Sequence, residues 1–123
     1  MKLFLILGNQ LFDLKYLKNF KDYIFYMSED YELCTYEKHH KLKILLFLSA
    51  MRSYAEKLKK NKFKLEYSKI DSDDFKKNYT DKLKKIINSK KIIEVSSFEI
   101  EDKFFENKIK IFLKKLNIKW NIV

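Results

Sequence analysis

The residues of this chain whose types and spacing could do chemistry gather in its first third. Gly8-Asn9-Gln10 follows one apolar run, Glu29-Asp30 follows another, and Tyr36-Glu37-Lys38-His39-His40-Lys41 leads into a long amphipathic stretch. These residues could line a ligand site, with a ligand-facing role open to His40 beside the reading of a hydrogen-bonded, half-buried histidine. The same set is poorly equipped for covalent catalysis.

The familiar catalytic and phosphate-binding patterns are missing. A dinucleotide fingerprint needs three glycines, and Gly8 is the only glycine of the chain, so Gln10, Leu11 and Phe12 stand where a backbone would have to approach a pyrophosphate. No P-loop is present. No GxSxG nucleophile elbow occurs, and Ser49 in "LSAMR" lies within a helical pattern. Glu29 and Glu32 could act as paired carboxylates, but nothing positions a second catalytic group. His39 and His40 are neighbours, so on a helix they point about 100° apart, and no histidine or cysteine follows at i+4 to complete a metal site. Cys34 is the single cysteine, which leaves no internal disulfide or cysteine-based metal centre. The expectation is no catalytic residue and no metal.

The elements that must position these residues follow from hydrophobic periodicity. Apolar runs at Lys2–Leu7, Asp22–Met27, Phe63–Tyr67, Ile92–Val95 and Ile118–Val123 read as strands. Between them lie a short turn or helix at Leu14–Phe20 and helical patterns over 38–60, 73–89 and 99–116. In the first long helix Ile44, Phe47, Leu48, Met51, Ala55 and Leu58 share one arc, with His40 on the same arc. Leu42, Leu45 and Leu46 form a second flank, to be covered by neighbouring helices or to serve as a docking surface. Phe75, Tyr79, Leu83 and Ile86 make the stripe of the next helix, opposite a lysine-rich face. Phe105, Ile109, Phe112, Leu113 and Leu116 make that of the last, with Ser96 and Glu99 as a capping box. Strands alternating with helices imply right-handed crossovers, hence an α/β, Rossmann-like three-layer sandwich with a five-stranded parallel sheet. The order expected of that class is 3-2-1-4-5. Ligands of such sheets bind at the carboxyl ends of the strands, which selects Gly8 to Gln10, Ser28 to Asp30, Ser68 to Asp71 and Ser96 to Phe98. The helix beginning near Lys38 should bring His39, His40 and Lys41 to the same rim.

Composition bounds the rest. The length of 123 residues suits one domain spanning 1–123, and 46% hydrophobic content is more than a disordered chain carries. No apolar stretch reaches the roughly 18 to 20 residues needed to span a bilayer, and the N-terminus lacks a signal-peptide pattern, so a cytoplasmic protein without membrane partners is expected. The net charge of +10 is unevenly spread, because residues 1–38 hold five lysines against six acids. The excess therefore lies beyond residue 38 and, apart from Arg52, is all lysine. Lysines serve solvated helix faces and diffuse attraction, whereas base readout favours arginine. A stand-alone basic module binding nucleic acid or a protein is the alternative this charge supports.

Three segments carry a more specific signal. "LILGNQLF", "EDYELCTYEKHHKLKILLFLSAMRSYAEKL" and "KLEYSKID" together resemble the N-terminal domain of the photolyase-related proteins, the bacterial iron-sulfur cryptochromes and (6-4) photolyases. The family pattern is Gly-Asp-Gln after the first strand, a glutamate after the second, then Tyr-x-x-His-His-Lys-x-Lys entering a helix that contains Ser-Ala-Met-Arg. Here those positions are Gly8-Asn9-Gln10, Glu29, Tyr36 to Lys43, and Ser49-Ala50-Met51-Arg52. The resemblance implies an α/β antenna domain that can hold 6,7-dimethyl-8-ribityllumazine near Gly8, Asn9, Gln10, Glu29, Leu33, Tyr36 and His40. It also implies a helical FAD-binding partner domain that carries the flavin and an iron-sulfur cluster, through which DNA is engaged indirectly in light-dependent repair or photoreception. Neither the flavin pocket nor the cluster cysteines lie in these 123 residues. Three departures from the pattern stand at its rim: Asn9 in place of aspartate, Leu33 in place of an acidic residue, and Ser96-Ser97-Phe98-Glu99 in place of a Pro-Gly-Glu turn.

Overall fold

Parallel strands bury side chains on both faces, and the first strand shows this directly, since Leu3 to Leu7 are all buried although they alternate between opposite sides. The computed structural model describes residues 1–8, 10–29, 41–69 and 79–123, except for the side chains of 41–44 and 47. Five strands, β1 (Lys2–Leu5), β2 (Ile24–Ser28), β3 (Lys64–Ser68), β4 (Glu94–Ser97) and β5 (Lys119–Ile122), form one parallel sheet of order β3-β2-β1-β4-β5. The expected α/β class and strand order are both found. A 3-10 segment, Leu14–Phe20, precedes β2, and helices α1 (Lys41–Lys60), α2 (Tyr79–Lys90) and α3 (Lys103–Lys115) precede β3, β4 and β5.

The strand alternation feeds two cores. Leu3, Leu5, Ile24, Tyr26 and Val95 pack against Tyr79, Leu83 and Ile87 of α2 and Phe105, Ile109 and Leu113 of α3. On the other face Phe4, Ile6, Phe25 and Met27 meet Leu17 and the α1 residues Leu48, Met51, Tyr54, Ala55 and Leu58. The stripes expected of the helices are therefore buried where they are described, except Ile86, Phe112 and Leu116, which are partly buried at the edge of the core. Lys82 departs from the expected lysine-rich outer face of α2, for it is 4% exposed.

One local expectation is corrected. Ser96 and Glu99 do not cap α3, because Ser96 is fully engaged in the sheet opposite Phe4 and Glu99 belongs to the loop that follows. Phe98 turns inward against the Phe4 and Phe12 rings, at 5.2 and 5.0 Å between centroids. Only then does the helix start, with the Asp102 side chain accepting from Phe104 N and Phe105 N at 3.0 and 3.2 Å.

All three helix-to-strand turns use one device. Phe63 N donates to Leu58 O, Ile92 N to Ile87 O and Ile118 N to Leu113 O, each at 3.0 Å, and each bond joins two apolar residues across the turn. This is the Schellman closure, which needs a left-handed residue just before the donor. Glycine would be the usual choice, but the chain places Lys62 (φ 65°), Lys91 (φ 53°) and Asn117 (φ 56°) there. A side chain in that region costs about 1–2 kcal/mol, partly offset by the lower entropy of a non-glycine unfolded chain, about 0.4–1 kcal/mol. Lys62→Gly is therefore expected to raise stability by about 0.5–1 kcal/mol, and Lys62→Val to lower it by more than that. Urea unfolding midpoints of the two variants check this, and a Gly variant no more stable than the parent would contradict it.

Candidate functional site

Gly8 lies buried where β1 leaves the sheet, in a turn closed by Gln10 N donating to Leu7 O at 2.9 Å. Its φ is not positive, so the turn does not draw on the left-handed freedom of glycine. What glycine supplies is the lack of a side chain at a crowded position. Gln10, 4% exposed, spends its amide inside the protein: Nε2 donates to Glu99 O at 2.9 Å, and Oε1 accepts from Leu7 N at 3.4 Å. It stitches the loop after β1 to the loop after β4. Beside it the Tyr54 hydroxyl donates to Phe12 O at 2.6 Å, and burial with nearby Asp13 pushes that hydroxyl up to about 12.

Glu29 stands at the carboxyl end of β2, its side chain fully buried, and its backbone N–H continues the sheet to Ser68 O at 2.8 Å. Arg52 of α1 grips the carboxylate with both sides of its fork, Nε to Oε2 at 2.7 Å and Nη2 to Oε1 at 2.9 Å. Tyr67 of β3 donates its hydroxyl to Oε2 at 2.5 Å. A buried carboxylate is tolerated when it is paired and hydrogen-bonded, and a planar guanidinium meets that need better than a lysine ammonium. Burial, then the bond to Glu29 and its charge, hold the Tyr67 hydroxyl well above the usual tyrosine range, with Arg52 opposing. The three residues come from three elements and join α1 to the sheet.

This joint fixes the level of α1 against the sheet. Arg52 lies eleven positions beyond Lys41, or roughly 16 Å of helix at 1.5 Å per residue, so α1 continues beyond this joint; Leu48 and Met51 still pack in the core, and the turns before them project. The helix meets Glu29 at Arg52, and the expectation that His39, His40 and Lys41 reach the same rim falls on residues or side chains outside the described ones. Leu45 and Leu46, 60% and 62% exposed, lie on this projecting part, where no neighbouring helix of the described residues covers them.

On the opposite face Lys82 reaches the carboxyl end of β2, its Nζ 3.3 Å from Ser28 Oγ. Tyr26, Ser68, Lys82, Lys85 and Ser89 help line a cleft of about 270 Å³ there. Among the described residues no group of three or more His, Cys, Asp or Glu side chains could hold a metal. No helix among them is long and apolar enough to cross a membrane.

Of the candidate residues read from the sequence, Gly8, Gln10 and Glu29 are all at the carboxyl ends of β1 and β2, and both side chains are engaged by protein groups. Asn9, Leu33, Tyr36 and His40 lie outside the described residues, as do Cys34, Glu32 and His39. Arg52, Tyr67 and Lys82 were given no role by the sequence reading. A signal for Arg52 existed: it is the only arginine among 27 basic residues.

Removing the guanidinium takes both of its charge-assisted bonds from the buried Glu29 carboxylate. Arg52→Ala is expected to cost about 3 kcal/mol, with part recovered in the double variant Arg52→Ala/Glu29→Gln, measured by urea unfolding. A double variant no more stable than Arg52→Ala would remove the assigned pairing. The raised hydroxyls of Tyr54 and Tyr67 contribute stability that is fully present below the unfolded tyrosine value, about 10, and is lost as pH rises above it. Unfolding midpoints should fall as pH rises from about 10 toward about 12, and Tyr67→Phe should flatten that fall.

With the fold and the rim described, the chain can be compared with known families. No curated protein matches it. The family model of the deoxyribodipyrimidine photo-lyase-related proteins matches residues 4–123, nearly the whole sequence. The chain belongs to the deoxyribodipyrimidine photo-lyase-related protein family.

Proposed function

We propose that the chain acts as the α/β, antenna-type part of a photolyase-related protein, in which a helical FAD-binding domain performs light-dependent DNA repair or photoreception. The observation that carries this reading is the family match over residues 4–123 on a sheet whose carboxyl-end rim keeps Gly8, Gln10 and Glu29 together. Membership of the iron-sulfur cryptochrome and (6-4) photolyase subgroup rests on the motif set from Gly8 to Arg52.

In this reading the rim residues divide their work. Gln10 and Glu29 are occupied by Glu99, Arg52 and Tyr67, so they set the shape of the rim and act as positioning residues. Polar recognition of a ribityllumazine then falls on Asn9, Tyr36 and His40, with Leu33 and the bare backbone of Gly8 offering room for a flat ring. When bound, the lumazine would pass excitation energy to the flavin of the helical domain. FAD and the iron-sulfur cluster belong to that partner. The projecting half of α1, with Leu45 and Leu46 exposed, supports the helical domain as its cover.

Titration of the purified protein with 6,7-dimethyl-8-ribityllumazine, followed by the ligand's fluorescence, tests the antenna role. Saturable binding at micromolar ligand is expected, strengthened in Asn9→Asp, which restores the family's acceptor. Binding by neither protein, or by Asn9→Asp alone, overturns that role for this chain.

A further inference from the structure

The two ends of the sheet differ in chemistry, and the amino end has no part in the rim described above. Every helix runs antiparallel to the strands, so α1, α2 and α3 all terminate at the amino end, where β3, β4 and β5 begin. Their last turns and the turns that follow carry Lys60 and Lys62, Lys90 and Lys91, and Lys114 and Lys115, all exposed. Strand spacing of about 4.8 Å puts the turns entering β3 and β5 about 19 Å apart across the sheet, with the turn entering β4 between them.

Lysines in a last helical turn complement the helix dipole, and that accounts for Lys60, Lys90, Lys114 and Lys115. It does not account for Lys62 and Lys91. These sit beyond the helices, in the left-handed position where glycine or asparagine is easier, and point more positive charge from the same end. The acids at this end face other groups, and Asp22, just before β2, acts on Lys2. Glu94 is taken up by Lys2, Lys119 and Asn121, and Glu66 by Lys90 at 3.5 Å. Among the described residues Lys60, Lys62, Lys91, Lys114 and Lys115 make no ion pair.

We infer that this amino-end face binds the phosphate backbone of a nucleic acid duplex, without reading its sequence. Duplex DNA carries a negative charge per about 1.7 Å of its axis, so a face about 19 Å across meets several phosphates at once. An ammonium on a flexible stem suits that task, and these turns carry no arginine and no exposed aromatic side chain, Phe63 being buried, which argues against base readout. Two other acidic partners fit less well. Membrane-surface segments join lysines to aromatic and leucine anchors, but here the exposed Phe12, Tyr16, Leu45, Leu46 and Phe104 lie away from this end, toward the carboxyl rim, leaving Met1, Ile93 and Ile111, with no exposed aromatic or leucine among them, beside the lysines. Protein interfaces favour tyrosine, tryptophan and arginine over lysine. The inference does not depend on the antenna reading, since the two sites occupy opposite ends of the sheet.

The test compares two triple variants that each remove three positive charges. Lys62→Asn/Lys91→Asn/Lys115→Gln neutralises the amino end, and asparagine keeps the left-handed turns at ease. Lys15→Gln/Lys84→Gln/Lys110→Gln neutralises exposed lysines elsewhere. Association with a fluorescent DNA duplex is read by anisotropy across about 50 to 200 mM salt, with circular dichroism to show that each variant folds. The amino-end variant should bind at least tenfold more weakly at low salt, with the slope of log affinity against log salt reduced by about 2.7, while the control changes much less. Equal losses in both variants would mean diffuse attraction and overturn the inference, as would no binding by the parent protein. Lysine-dependent binding to phosphatidylserine vesicles without binding to the duplex would assign the face to a membrane and overturn it too.

Discussion

The arrangement of this protein depends on one buried carboxylate. Glu29 extends β2 by a last backbone bond to β3 and then sends its side chain into the protein, where water cannot solvate the charge. The cost of that desolvation is several kcal/mol unless partners are close and well aimed. Arg52 and Tyr67 meet the requirement, and by doing so they set the height of α1, the lateral position of β3 and the end of β2 at once. An apolar contact could hold the same elements together, but it would not fix their level, because apolar packing is non-directional. The bidentate fork defines a distance and a plane, so α1 cannot slide by a turn without stranding the charge.

That fixed level explains features that otherwise look unrelated. A helix of twenty residues is about 30 Å long, while a strand of five spans about 17 Å, so a helix anchored at Arg52 must overhang the sheet at one end. The overhang falls at the carboxyl end, which carries Leu45 and Leu46 into solvent. The other end finishes flush with the strand starts, where the Schellman turns drop each chain directly into the sheet. The molecule thereby acquires one end that is apolar and projecting and another that is flat and lysine-rich.

Much of this was legible in the sequence, for physical reasons that differ from element to element. The run KLFLIL could only be a strand buried on both faces, and the regular alternation of such runs with helical stripes left a parallel sheet as the economical answer. Order 3-2-1-4-5 followed from the class. Cap positions were less legible, because Ser96 and Glu99 have the spacing of a capping box, and only the pairing of Ser96 with Phe4 in the sheet removes them from that role. The burial of Lys82 was not legible at all. Its stem packs beneath the end of β2 because Ser28 receives its ammonium, a pairing across 54 positions that no local pattern encodes. Leu45 and Leu46 had the periodicity of a buried flank, and their exposure depends on where α1 is pinned, which is a tertiary fact.

The basic composition shows the same limit from another side. Twenty-seven basic residues with a single arginine could reflect coding bias, in which case position should be indifferent to chemistry. It is not indifferent. The one arginine occupies the one place among the described residues where a buried carboxylate is gripped by two nitrogens, a planar bidentate grip that a lysine ammonium does not reproduce. Lysines occupy the helix ends, where a point charge on a flexible stem serves the dipole, and also two left-handed turns, where they carry a backbone cost. Composition alone could not have separated these uses, because each depends on what the fold brings to the side chain. Charge in this protein is therefore informative only after the sheet has assigned it to an end.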